Sequence, residues 1–385
     1  MDTILEQIRT LHAKADEIER QHIQEQLRDV QREIASDFDL VWGLGSSHMQ
    51  WAVIQIGLDL GIFATLAADT DPIGLEYFVA ATGASSTLLV RLLRSLASFG
   101  FVIETAKDTF TANRITQALA HPDIAGAFPH ITHVHALVAQ VLPRYLREHK
   151  YQDMNDSNGL PFHLAIGTDL SPFEWMKQHP EQMRALGHAM QIARTHSWVE
   201  SYPISDQIGK VQFAENSVLL VDVGGGFGQQ AAAFKARVPS VRGPVVVQDL
   251  AATLAHAPAI AGIDFQEHDF FMPQPVRGAR FYYLRHILHD WTDDDSVRIL
   301  DNIVPALAPE SRIVIDEVVM PDTNVPWQCA FMDLTMSSSL GGYERSGGQW
   351  EVLLNRAGLQ IEEVHTYDKV KKHSVIIAVP KIPTK

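Results

Sequence analysis

Val218-Leu219-Leu220-Val221-Asp222-Val223-Gly224-Gly225-Gly226-Phe227-Gly228 decides the fold of this 385-residue chain. Four aliphatic residues in a row suit a strand buried on both faces, and it runs directly into glycines before the helical stretch Gln229 to Arg237. Glycine is needed where the backbone takes a positive φ or approaches a ligand with no Cβ in the way. Gly224, Gly226 and Gly228 allow that at a strand-to-helix turn, where open α/β sheets bind their ligands. Around this turn, short apolar strands alternate with helical stretches: Ser217 to Val223, Val245 to Gln248, Arg280 to Leu284, Arg312 to Ile315 and Ser374 to Val379. The alternation predicts a parallel, doubly wound α/β sheet with helices on both faces.

Upstream the pattern is helical. Apolar residues at helical spacing from Ile4 to Ile34 predict one long amphipathic helix whose stripe needs a partner surface, either its own domain or a second subunit. Leu88, Leu89, Leu92, Leu93 and Leu96 form a second stripe, closed by Gly100. Phe101 to Thr105 and Thr109 to Ala112 then read as two short strands around a turn. Helices followed by such a hairpin make a winged-helix pattern. A chain this long exceeds one ordinary core, which stops growing at roughly 250 to 300 residues. We place the boundary near residue 205, giving a helical domain over 1–204 and an α/β domain over 205–385.

The chain carries 46 acidic against 31 basic residues, a formal net charge of −15. Such a balance repels phosphate backbones and anionic lipid surfaces, and the helix before the hairpin offers only Arg91 and Arg94 to a nucleic acid. Neither nucleic acid nor membrane is an expected partner. Cys329 is the single cysteine, so no intrachain disulfide forms, and the reducing cytosol is the expected compartment.

A dinucleotide fingerprint would place its third glycine at 229, which is Gln229. The acid-x-Gly-x-Gly-x-Gly order from Asp222 is instead similar to the first motif of S-adenosylmethionine-dependent methyltransferases. Asp249 ends the next strand, where a carboxylate can accept from both hydroxyls of a ribose. Alone it would read as a solvated strand-end acid; with the glycine turn the combination is more specific.

Arg285-His286-Ile287-Leu288-His289-Asp290-Trp291 follows a later strand, and Gly341-Gly342-Tyr343-Glu344-Arg345 lies downstream. Together these stretches resemble the plant and fungal class of O-methyltransferases, which joins a winged-helix dimerisation domain to a Rossmann-like class I methyltransferase domain. The likeness spans nearly the whole chain from about residue 45. It implies S-adenosylmethionine as cofactor, a small-molecule substrate and a homodimer. It implies cofactor contacts from Asp222, Gly224, Gly226, Asp249, Leu250, Asp269, Phe270, Arg285 and Trp291. Arg285 stands where the family usually has lysine.

For the substrate the resemblance points to Phe173, Met190, Met332 and Met336; His133 is offered by the cluster His130, His133, His135 in the helical domain, where the substrate pocket would lie and which keeps a pericyclase reading open. Helical histidines of this kind are more often satisfied by neighbours, and methionine is a routine core filler. No metal is implied.

The chemistry of the acids can be argued without the family. A hydroxyl attacks a methyl group well only as it loses its proton, and imidazole, with an unperturbed pKa of about 6.5, can accept one at neutral pH. His289 is the candidate base. A carboxylate accepting from its other ring nitrogen fixes the tautomer; the resemblance implies Glu317, in Ile315-Asp316-Glu317, and Glu344 for that role. Asp290 is read as orienting the loop. The expected activity is O-methylation of a small aromatic or polyketide-like hydroxyl compound. The same family includes fungal pericyclases that keep the cofactor as an electrostatic group and rearrange a substrate without methyl transfer; retention of His289, Asp290, Glu317 and Glu344 favours the methyltransferase.

Overall fold

The computed structural model describes residues 2–155, 159–192, 197–209, 217–239, 241 and 243–381. The chain divides into two compact units, one of Met1–Val141 with Ala165–Ala193, the other of Leu142–Leu164 with Arg194–Lys385.

In the first unit the long N-terminal stripe is broken. α1 spans Asp2–Lys14, α2 spans Glu17–Ile34 and α3 spans Asp37–Gly45. The single helix expected over this stretch is interrupted because Asp16 caps α2: its side chain accepts from the Glu19 amide, while the Glu19 carboxylate accepts from the Asp16 amide. This reciprocal pair satisfies two amides that a helix start leaves without partners. None of the three helices buries a residue of its own. Ile4, Leu11, Ile18, Leu27, Val30, Ile34, Phe38, Val41, Trp42 and Leu44 stay exposed.

The core of this unit packs Leu89, Leu93 and Leu96, all at 0% exposure, against Ile62, Phe63, Phe78 and Phe110. β1 (Ile73–Gly74), β2 (Ile103–Ala106) and β3 (Thr109–Thr111) make a small antiparallel sheet in the order β1-β3-β2. Asp108 turns the hairpin at φ 58° and accepts from Arg94 at 2.9 Å. One of the two arginines of the preceding helix is thus paired with its own hairpin. Among the described residues no single helix is long and apolar enough to cross a membrane.

The second unit is built on β4 (Leu220–Val223), β5 (Val245–Asp249), β6 (Asp264–Glu267), β7 (Phe281–Arg285), β8 (Arg312–Met320), β9 (Arg345–Ser346), β10 (Leu359–Thr366) and β11 (His373–Pro380). Their order is β10-β11-β8-β7-β4-β5-β6, with β9 beside the end of β8. Strands β4 to β8 pair in parallel, as the alternation predicts. The last two run antiparallel, β11 pairing with both β8 and β10, so the sheet is mixed and not wholly parallel. β6 and β10 carry exposed charge, and therefore lack the apolar runs that mark the central strands.

Alternate residues of the central strands face two separate cores. Leu220, Phe281, Tyr283 and Val314 pack with Trp198 and Phe234 on one face. Val221, Val223, Tyr282, Leu284, Ile313 and Ile315 pack with Ile299, Leu300 and Trp350 on the other. Two covered faces explain why these strands read as unbroken hydrophobic runs.

Trp350 is fully buried and donates its indole N–H to the Val318 carbonyl at 3.1 Å. Trp350→Ala should cost about 3–5 kcal/mol. A thermal melt should then show a fall of roughly 10 °C in the midpoint; an unchanged midpoint would remove Trp350 from the core that holds β8.

Candidate active site

β4 delivers its carboxyl end to the glycine turn. Gly224, Gly226 and Gly228 take φ of 70°, 58° and 79°, the left-handed conformation that a Cβ would strain. The amides of Gly224 and Gly225 donate to the Gln248 carbonyl at 2.8 and 3.1 Å, stitching the turn to β5. The Asp249 carboxylate closes the arrangement, accepting from Gly226 N at 2.9 Å and Leu250 N at 2.8 Å.

Asp222 lies beneath the turn, 2% exposed, and its Oδ2 has no hydrogen-bond partner among the described residues. Burial raises its pKa to about 7 although Arg285 pulls the other way. Arg285 itself sits with Nε 3.6 Å from the buried Asp316. On the far side Asp269 accepts from Phe271 N at 2.9 Å, and Phe270 and Phe271 meet Trp291 edge to face. A turn of left-handed glycines over an unpartnered buried carboxyl oxygen, flanked by strand-end acids and an aromatic wall, fits a cationic nucleoside such as S-adenosylmethionine.

His289 stands on a short helical turn, Leu288–Asp290, just after β7. Only 5% of it is exposed, and three carboxylates surround it. Its Nδ1 is 2.9 Å from Glu344 Oε1 and 3.8 Å from Glu317 Oε2, while its Nε2 is 3.3 Å from Asp290 Oδ1. Burial opposes the charged imidazolium, yet Glu317, Asp290 and Glu344 outweigh it and raise the His289 pKa to about 10. Burial raises Glu317 and Asp290 as well, against the pull of His289.

The two glutamates do different things. Glu344 hydrogen-bonds the imidazole, whereas Glu317 spends Oε1 on the amides of Ile287 and Leu288, both at 3.0 Å, and so shapes the loop beneath the ring.

Three further residues hold this arrangement and were not singled out from the sequence. Arg345 is wholly buried; it donates to the carbonyls of Leu288 and Trp291 at 2.8 and 3.0 Å and to Asp293 at 2.9 Å, and its guanidinium lies over the Tyr343 and Trp350 rings. Asp333 accepts from the Glu344 amide at 3.0 Å. Gly342 lies so close beneath the loop that a Cβ there would overlap the His289 carbonyl and the Asp290 backbone. A basic residue and a glycine flanking Glu344 were visible in the motif, but nothing in spacing alone says that they face the loop 55 residues earlier.

The second unit thus brings Asp222, the glycines, Asp249, Leu250, Asp269, Phe270, Arg285, Trp291, His289, Asp290, Glu317 and Glu344 onto the carboxyl ends of its strands. Met332 and Met336 belong to the helix Trp327–Ser339 of the same unit, Met332 partly exposed and Met336 buried. His133, Phe173 and Met190 belong to the first unit. His133 lies in a π-helical turn, Ile131–His135, with its Nδ1 3.3 Å from Gln182 Nε2. Phe173 is half-buried, and Met190 is exposed.

Because Glu344 is one of the charges raising His289, Glu344→Gln should move the imidazole's titration to lower pH. Histidine-selective NMR across a pH series reads this directly, and an unmoved titration would show that the 2.9 Å contact carries no electrostatic weight.

An O-methyltransferase domain family model matches residues 144–360. A demethylsterigmatocystin 6-O-methyltransferase of Aspergillus flavus is 45% identical, with 99% of this chain and 98% of that one covered. Among solved structures, a pericyclic reaction enzyme is similar with a TM-score of 0.94 at 33% identity, over 99% of both chains. OxaC in complex with S-adenosylhomocysteine and oxaline is similar with a TM-score of 0.86 at 25% identity, over 95% of this chain and 93% of that one. On the family match and on the near full-length likeness to a curated methyltransferase, the chain belongs to the O-methyltransferase family.

Proposed function

We propose that the protein transfers a methyl group from S-adenosylmethionine to a phenolic hydroxyl of a polyketide-derived aromatic compound, with His289 as base. The observation that carries the reading is the pairing of His289 Nδ1 with Glu344 at 2.9 Å, which commits that nitrogen as donor and leaves Nε2 to take the acceptor's proton. The 45% identity to a demethylsterigmatocystin 6-O-methyltransferase supports the class of acceptor.

When bound, S-adenosylmethionine supplies a sulfonium-borne methyl group and a positive charge. A positive charge bound near the cluster would oppose the pull of the three acids that raises the His289 pKa, and so would favour loss of the ring proton. Asp222 and the glycine turn would hold the donor, Asp249 its ribose, and Asp269 with Phe270 its base. Glu317 keeps the loop in shape while Glu344 steadies the imidazolium formed during transfer. Methyl transfer from a sulfonium to an oxyanion removes charge, so a dry, largely apolar site favours it.

Incubation with labelled S-adenosylmethionine and a panel of hydroxylated aromatic polyketides tests the reading. The product should gain one methyl group, with S-adenosylhomocysteine formed in equal amount. His289→Ala should lower turnover about 10²- to 10⁴-fold. A product of unchanged mass, formed with the cofactor intact, would replace the methyltransferase by a pericyclase.

The working form is proposed to be a homodimer through α1, α2 and α3. Their apolar residues stay exposed along three successive helices, and a second copy of the same stripes offers a surface that could cover them. Light scattering should give twice the chain mass of 42.9 kDa, and Leu27→Asp with Val30→Asp should give the single chain mass. A wild-type protein that scatters as one chain would end the proposal.

A further inference from the structure

We propose that His286, His289 and Glu317 form a binding site for a divalent cation of the zinc type, and that its occupancy switches off the base function of His289. The inhibitory half rests on the methyltransferase reading; the binding half does not. One ligand atom from each of the three side chains lies within 4.8 Å of the other two. Glu317 Oε2 is 3.8 Å from His289 Nδ1 and 3.9 Å from His286 Nδ1.

These separations exceed a hydrogen bond, which seldom passes about 3.2 Å. They lie close to the spacing between neighbouring ligands around tetrahedral zinc, about 3.3 Å for bonds of about 2.0–2.1 Å. An ion drawn between the three would shorten the two contacts to Glu317 by roughly half an ångström.

Glu317 is wholly buried, and while Oε1 is occupied by two amides, Oε2 has no hydrogen-bond partner among the described residues. A buried carboxylate oxygen without a partner is costly, and a cation is the partner that would satisfy it best. Glu344 lies on the same side of the imidazole, and its Oε2 also has no hydrogen-bond partner among the described residues. Two imidazoles and a carboxylate form a donor set suited to Zn2+, with Glu344 or water able to complete the tetrahedron.

His286 takes φ 50°, unusual for a residue other than glycine, and its ring centre is 4.8 Å from that of His289. Such backbone strain tends to persist where it serves a site.

The consequence for catalysis follows from the tautomer. An ion at His289 Nδ1 displaces the proton that this nitrogen donates to Glu344, releasing one proton to solvent from the imidazolium and leaving the remaining ring proton on Nε2. The nitrogen that would accept the hydroxyl proton then has no lone pair to offer, and methyl transfer stops until the ion leaves.

The test uses the full-length protein freed of metal by a chelator and titrated with Co2+. Tetrahedral Co2+ gives intense visible bands that loosely bound surface Co2+ lacks. One equivalent of such bands, displaced by Zn2+, is expected, with affinity at least tenfold weaker in His286→Asn, a residue that tolerates the same positive φ. Zn2+ should also inhibit methyl transfer by the wild-type protein, with activity restored by the chelator. Absence of the bands, or bands unchanged in His286→Asn, would overturn the proposal. Should the variant fail to fold, anomalous diffraction at the zinc edge from wild-type crystals decides, and zinc located away from these three side chains is equally fatal. The Co2+ spectrum requires no acceptor, so a wrong reading of the reaction leaves the test of the site standing.

Discussion

The guanidinium of Arg345 is the fixed point of the catalytic region. It is fully buried, yet each of its three nitrogens donates: to two loop carbonyls, to Asp293 and to the hydroxyl of Ser296. A planar, permanently charged fork can hold several acceptors at set angles, which a lysine cannot. The loop that carries His289 is irregular and short, and irregular backbone has little of its own to fix it. Arg345 ties it to Asp293 at the start of the following helix, and Trp350, beneath the guanidinium, ties the same residue into the core. The position of the imidazole is therefore inherited from the packing of the sheet.

A second constraint is charge. Asp222, Asp290, Asp316, Glu317 and Glu344 are all buried or nearly so, within one end of one sheet. Asp316 is neutralised by Arg285 and by the hydroxyls of Tyr283 and Tyr367 at 2.6 and 2.8 Å. Around His289, Asp290 and Glu344 pair with that imidazole, and Glu317 faces it and His286. The region is thus arranged to attract positive charge, in keeping with a sulfonium donor, and the same excess makes it receptive to a metal ion.

Much of this was legible in the sequence because the informative residues are backbone specialists or come as motifs. The glycine turn marked the first strand, the alternating strands marked the α/β unit, and His289 with its acids could be named from stretches that resemble the family's motifs. Three things were not legible. The break at Asp16 depends on a capping pair inside an apparently continuous stripe, where periodicity dominates the eye. The antiparallel end of the sheet depends on how β10 and β11 turn back, and β10 carries enough charge to hide as loop. The division of labour between Glu344 and Glu317 depends on which oxygen meets the loop amides, a matter of about one ångström that no spacing rule resolves.

Gly342 has a bearing on how such a protein can change its acceptor. The backbone of 342 and that of 289–291 pass with no room for even a methyl group between them. The two segments are consequently a single fitted piece, and neither can drift in sequence without the other. The helix Trp327–Ser339, where Trp327, Phe331, Met332 and Leu334 are exposed, is free of such a fit at those positions, and under the proposed function it is where a change of acceptor would be accommodated. The fold thereby sets a segment with no steric latitude beside one whose exposed side chains leave room for change.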